Sequence, residues 1–157
     1  MKKFTKKILV FACILIFTSC GFKVIDQSLK NNYTIKNIVS EGDKRVNFKI
    51  KNELLINAKE DSQTVILINL NTTKTKEIKE KNIKNQVTKY QISIDTVLKI
   101  SVLGGNDYKL NFNGTGDFLV GDNYSTTLNS EKILIESLTD NISKNIINKI
   151  SLKLNDI

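Results

Sequence analysis

An α+β fold, a two-layer sandwich in which two helices pack on one face of a four-stranded, mostly antiparallel sheet, is predicted by three patterns in the sequence. From Thr88 to Val102, apolar Tyr90, Ile92, Ile94, Leu98, Ile100 and Val102 alternate with polar Lys89, Gln91, Ser93, Asp95 and Lys99, which is the period of a half-buried antiparallel strand. Near the C-terminus, Leu134, Leu138, Ile142, Ile146, Ile150 and Leu154 make an unbroken stripe at spacing four, widened by Ile135 and Ile147. That stripe is the core face of a long helix. Val46, Ile50 and Leu54 repeat the spacing, with Leu55 beside them, and predict a first helix from Lys44 to about Ala58.

The remaining elements fall between these. Tyr33, Ile35 and Val39 share odd positions and predict a first strand from Tyr33 to Val39, ended by the Glu41-Gly42-Asp43 turn. After the Glu60-Asp61-Ser62 loop, Val65 to Leu70 is an apolar run of strand length. It leads into a polar tract, Asn71 to Asn85, carrying Lys74, Lys76, Lys79, Lys81 and Lys84 with Glu77 and Glu80. So much charge belongs in solvent, and the alternation Thr72, Lys74, Lys76, Ile78 permits one long strand that runs out of the core to a hairpin tip at Asn85-Gln86. Gly104-Gly105-Asn106-Asp107 predicts the next turn, and Tyr108, Leu110 and Phe112 begin a returning strand that Gly114 and Gly116 are expected to bend. The polar sheet face is expected to meet solvent or a partner.

Composition excludes much chemistry. The 157 residues contain no His, Pro or Trp, two Cys and one Met. Without imidazole there is no Ser-His-Asp or Cys-His nucleophile system, and two thiols cannot build an all-thiolate zinc site. No catalytic residue, metal site or cofactor is assigned. Glu60-Asp61 and Glu77 with Glu80 sit in loop or lysine-rich surroundings where solvated ion pairs are the ordinary case. Neither Gly104-Gly105 nor Gly114-Thr115-Gly116 runs into a helix that could cradle a phosphate. The formal net charge of +8 rests on a single arginine, Arg45, and otherwise on lysine. A phosphate-reading protein is expected to use more guanidinium forks.

Lys2, Lys3, Lys6 and Lys7 precede an uncharged run from Ile8 to Phe17, then Thr18, Ser19 and Cys20. Ten apolar residues cover only about half of a hydrocarbon core, so residues 1–19 read as a cleaved signal peptide rather than a membrane span. Export removes nucleic acid as a partner. Phe17-Thr18-Ser19-Cys20 resembles a bacterial lipobox, which implies acylation of Cys20, with Phe17 in place of the usual Leu. Acyl chains contribute about 0.8 kcal/mol per buried methylene, enough together for a stable anchor. Gly21 after the cysteine implies sorting to the outer membrane. Residues 20–32 read as a tether and residues 33–157 as a single domain.

The mature chain resembles the lipopolysaccharide-assembly lipoprotein (LptE) family. Cys20-Gly21-Phe22 is similar to the family's Cys-Gly-Phe or Cys-Gly-Trp start, and Ile50-Lys51-Asn52-Glu53-Leu54 to its Leu-Arg-Asn-Glu-Leu segment. Thr88-Lys89 resembles a Thr-Arg pair, Asn123-Tyr124-Ser125 a Pro-Tyr-Ala step, and Leu138-Thr139-Asp140-Asn141-Ile142 a Leu-Ala-Asp-x-Ile helix. The resemblance implies a non-catalytic plug inside the LptD-type β-barrel that inserts lipopolysaccharide, anchored in the outer membrane and facing the periplasm and barrel lumen. It also implies a basic residue near the second hairpin in contact with lipopolysaccharide. Lys84 matches that position, with Lys81 and Lys89 nearby. The family's second basic position, before the last helix, has no clear match; Thr127 stands near it, and Lys132 is a poor substitute. A lipid-anchored periplasmic binding module unrelated to a barrel is the alternative reading, and a lipoprotein hydrolase a distant third.

Overall fold

The computed structural model of the chain describes residues 32–155. Strand β1 (Tyr33–Gly42) leads through helix α1 (Lys44–Asn57) to β2 (Thr64–Lys81), β3 (Val87–Val102), β4 (Asp107–Leu119) and the long helix α2 (Tyr124–Asn155). The leader, Cys20 and the tether as far as residue 31 lie outside the described residues. In the sheet the strands stand in chain order, β1-β2-β3-β4. β1 runs parallel to β2, while β2–β3 and β3–β4 are antiparallel. A parallel neighbour needs a crossover, and α1 supplies it.

Both helices cover one face. α1 lies against β1 and β2, α2 against β3 and β4, and the helices touch each other. Between the layers Ile66, Ile68 and Leu70 of β2 and Ile92, Ile94, Leu98 and Ile100 of β3 are buried. They meet Val46, Ile50 and Leu54 of α1 and Ile135, Leu138, Ile142, Ile146 and Ile150 of α2. Each such side chain contributes about 1.5–3 kcal/mol relative to exposure. Leu55, expected beside the stripe of α1, is exposed.

The turn before α1 is set by two residues. Gly42 has φ +93°, and a Cβ there would lie 1.8 Å from the Thr72 carbonyl oxygen. Only glycine lets the two backbones approach so closely. Asp43 then caps the helix, its Oδ1 accepting from the Arg45 and Val46 N–H groups at 3.1 and 3.0 Å. Buried Asn47 is satisfied on both sides, donating to the Glu41 carbonyl at 2.7 Å and accepting from the Thr72 hydroxyl at 2.8 Å. The α2 entry is similar, with Asn123 Oδ1 accepting from the Thr126 N–H at 2.9 Å.

One local expectation is corrected. Ile35 pairs with Ile66 but Asn37 with Leu67, so Lys36 is an extra residue in β1. This bulge reverses the inward–outward parity of the rest of the strand. Ile38 therefore turns inward at 6% exposure and Val39 outward at 50%. β4 keeps register with β3 from Asp107 to Leu119, through Gly114 and Gly116. These glycines make room for the helix: Cβ atoms there would meet Ile142 Cδ1 at 3.1 Å and Leu134 Cδ1 at 2.7 Å. The glycines seat α2 on the sheet.

Candidate functional site

β2 changes character at Thr72, where alternating burial ends. The core-facing parity is continued by Lys74 and Lys76, and neither is left to solvent alone. Lys74 Nζ lies 2.9 Å from Asp43 Oδ2. Lys76 Nζ lies 2.5 Å from Glu131 Oε2 and 4.4 Å from the ring centroid of Tyr90. Tyr90 stacks on its cross-strand partner Phe118 at 5.6 Å. The tract is largely exposed, as expected, and within it these two lysines run their stems along the edge of the core while their charged heads reach carboxylates.

Asp43 joins these elements. Burial alone would raise its carboxyl, but the hydrogen bond from the Val46 N–H, the Lys74 ammonium and the Arg45 N–H hold it below its ordinary value.

Beyond Ile78 the hairpin stands clear of the helices. Its turn is built by Asn82, whose Oδ1 accepts from the Lys84 and Gln86 N–H groups at 2.9 and 3.0 Å. The Asn82 N–H donates to the Gln86 carbonyl at 2.9 Å, and Asn85 takes the left-handed φ of 60° that closes the turn. At the apex Ile83 is fully exposed.

The lysines Lys81, Lys84 and Lys89 share this hairpin end but not one environment. Lys81 Nζ donates to Asn85 Oδ1 at 3.1 Å. Lys89 Nζ lies 2.5 Å from Glu80 Oε1, and that hydrogen bond raises its pKa. The Lys84 ammonium has no partner among the described residues. Cys20, the expected lipid attachment point, lies outside the described residues.

On the sheet face away from the helices, three rungs of polar residues are paired with each other. Directly opposed residues of β3 and β4 hydrogen-bond across the strands: Gln91 to Asp117 at 3.0 Å, Ser93 with Thr115 at 3.2 Å, and Asn113 to Asp95 at 2.7 Å. The alternation in β3 locates one side of this ladder. Its partners on β4 depend on register, which one strand's pattern does not carry.

On the other side of the molecule a groove of about 420 Å³ lies between α1 and α2, lined by Phe48, Ile56, Ile135 and Thr139 among others. Arg45–Glu136 at 3.3 Å and Lys49–Asp140 at 2.6 Å bridge the two helices. Phe48 and Ile56 are 68% and 77% exposed; both lie off the core stripe of α1, so periodicity alone does not single them out. Among the described residues no helix is long and apolar enough to cross a membrane.

This geometry defines an α+β sandwich with one sheet face under two helices and the other, laddered with polar side chains, bare of any described element. No protein-family model and no curated protein matches the chain. Solved structures of bacterial lipoproteins share the fold. One is the rare lipoprotein B of Shewanella oneidensis, at 11% identity and a TM-score of 0.59, covering 76% of this chain and 97% of that one. The lipoprotein B of Nitrosomonas europaea is similar at 14% identity and a TM-score of 0.61, over 86% and 93% of the two chains. A minor lipoprotein of Acinetobacter baumannii is similar at 13% identity and a TM-score of 0.55, over 75% and 92%.

Proposed function

We propose that this chain is a lipid-anchored outer-membrane component of lipopolysaccharide assembly, a plug and assembly partner of an LptD-type β-barrel that also binds lipopolysaccharide. The observation that carries the reading is the bare sheet face. Along β3 and β4, Gln91, Ser93 and Asp95 pair with Asp117, Thr115 and Asn113, a polar ladder that suits the wet lumen of a large outer-membrane barrel. A fold shared with bacterial lipoproteins, and a lipobox-like Phe17-Thr18-Ser19-Cys20, supports an acylated Cys20 as the anchor. Lys81, Lys84 and Lys89 supply cations at a protruding tip, acting as compact point charges toward phosphates.

Purification in mild detergent tests the partnership. The chain should hold a large β-barrel in stoichiometric amount, mass spectrometry should find acylated Cys20 as the mature N-terminus, and depletion should leave the barrel misassembled. An anchored monomer with no barrel, and unchanged surface lipopolysaccharide after depletion, would favour a lipid-anchored binding module. The groove between α1 and α2 is the feature such a module would use.

A further inference from the structure

Lys99 of β3 and Lys109 of β4 stand directly opposite each other on the bare sheet face. Both are exposed, and neither ammonium has a carboxylate or other hydrogen-bond partner among the described residues. Like charges so opposed work against an antiparallel pair. At three other rungs of this face the opposed residues hydrogen-bond to each other, Gln91 with Asp117, Ser93 with Thr115 and Asp95 with Asn113, and the lysine rung departs from that pattern.

The rung also has a built surrounding. Asn69 lies opposite Lys99 on β2, and Asn71 lies opposite Val97 and Glu41 in the next row. These residues and the two lysines line one depression of about 510 Å³. We propose that the Lys99–Lys109 depression binds a phosphorylated saccharide, with both ammoniums on the phosphate and the asparagine amides on the sugar.

The chemistry fits group by group. Opposed cross-strand side chains start about 5 Å apart, so two lysine stems converge on a single group. A phosphate monoester carries up to two charges and three acceptor oxygens, matching two point cations better than one carboxylate does. Asn69 and Asn71 each offer donors and an acceptor, as sugar hydroxyls require. Glu41 at the rim accepts from a hydroxyl, and Val97 meets the apolar face of a ring.

The site rests on the proposed function only for the source of its ligand, the phosphorylated sugars of lipopolysaccharide, and it lies at a different place on the sheet from the lysine hairpin. Titrating the isotope-labelled protein with deacylated, phosphorylated core oligosaccharide tests it by NMR. Amide shifts should centre on Asn69, Lys99 and Lys109, and binding should weaken at least tenfold when the oligosaccharide is dephosphorylated or replaced by inorganic phosphate.

Lys99→Gln with Lys109→Gln should lose at least tenfold in affinity, whereas Lys132→Gln with Lys149→Gln, an equal charge loss on α2, should change it less than twofold. Lys99→Glu is the sharper variant, because it creates an opposite-charge rung: binding should fall while thermal stability rises. Shifts centred elsewhere, equal affinity for the dephosphorylated sugar, or an unaffected double variant would overturn the site. Barrel co-purification is read separately, so such a result would leave the proposed function standing.

Discussion

Leu134 of α2 occupies the space that a side chain on Gly116 of β4 would need, its Cδ1 lying 2.7 Å from where a Cβ would sit. Helix and sheet therefore meet through a missing side chain. Gly116→Val should force the Leu134 side chain out of its place and cost up to about 1–3 kcal/mol in urea unfolding, the usual range for overpacking. Combining it with Leu134→Ala should return part of that loss, and a double-mutant cycle reads the coupling. Strict additivity of the two changes would show that they do not share this space.

Tyr33 is fully buried and its hydroxyl has no partner among the described residues. Burial pushes its pKa up to about 12. Tyr33→Phe removes an unsatisfied donor while keeping the ring, and is expected to raise stability by up to about 1 kcal/mol. The alkaline limb should change too. A folded pKa raised above the ordinary 10.0 means that stability is full below pH 10 and falls as pH rises towards 12. The wild-type loss in that window should exceed that of Tyr33→Phe, and equal losses would mean that the hydroxyl is solvated or paired.

For Asp43 the sign is opposite. Its folded pKa lies below the ordinary 3.8, so the unfolded chain takes up the proton first and stability is lost as pH falls through the folded value. Asp43→Asn, which keeps a capping oxygen but not the charge on Lys74, should flatten the acid limb of a pH–stability curve. Asp43→Ala should in addition cost about 0.5–2 kcal/mol at neutral pH through the lost cap. An acid limb identical in wild type and Asp43→Asn would remove the Lys74 pair from the account.

At the hairpin tip, Lys81→Gln, Lys84→Gln and Lys89→Gln together should weaken lipopolysaccharide binding in a salt-dependent way. Screening acts over about 8 Å at physiological ionic strength. Lys84→Gln alone should account for most of the loss, because its ammonium is unpartnered while Lys89 is already held by Glu80. Stability should stay within about 0.5 kcal/mol, as for other exposed changes. Unaltered binding by the folded triple variant would leave these lysines as charges that protect a protruding edge from aggregation.

Strongly periodic segments are legible from sequence. The stripe of α2 and the alternation of β3 repeat often enough that one face is fixed, and the core they predict is the core observed. Features that escape a sequence reading depend on a second chain segment. The bulge at Lys36 is visible only against β2, and it moves Val39 to the surface. That Gly116 makes room for a helix shows only once Leu134 is placed beside it. Lys74 and Lys76 look solvated until Asp43 and Glu131 arrive from other elements. The Lys99–Lys109 rung appears only once register is known, because 99 and 109 are ordinary lysines in separate strands.

The strand order β1-β2-β3-β4 also bears on how the chain acquires its structure. Two of the three pairings are hairpins closed by short turns, a kind of event that takes about 1–10 μs in isolation. The third, β1 with β2, is parallel and cannot close until the 14 residues of α1 are in place. With no proline in the sequence there is no isomerisation phase of about 10–100 s to obscure the order of events. Pulse-labelled hydrogen exchange during refolding should therefore find amide protection in β2, β3 and β4 before β1. Of the four described strands, the one the ribosome releases first would be the one the folding chain secures last.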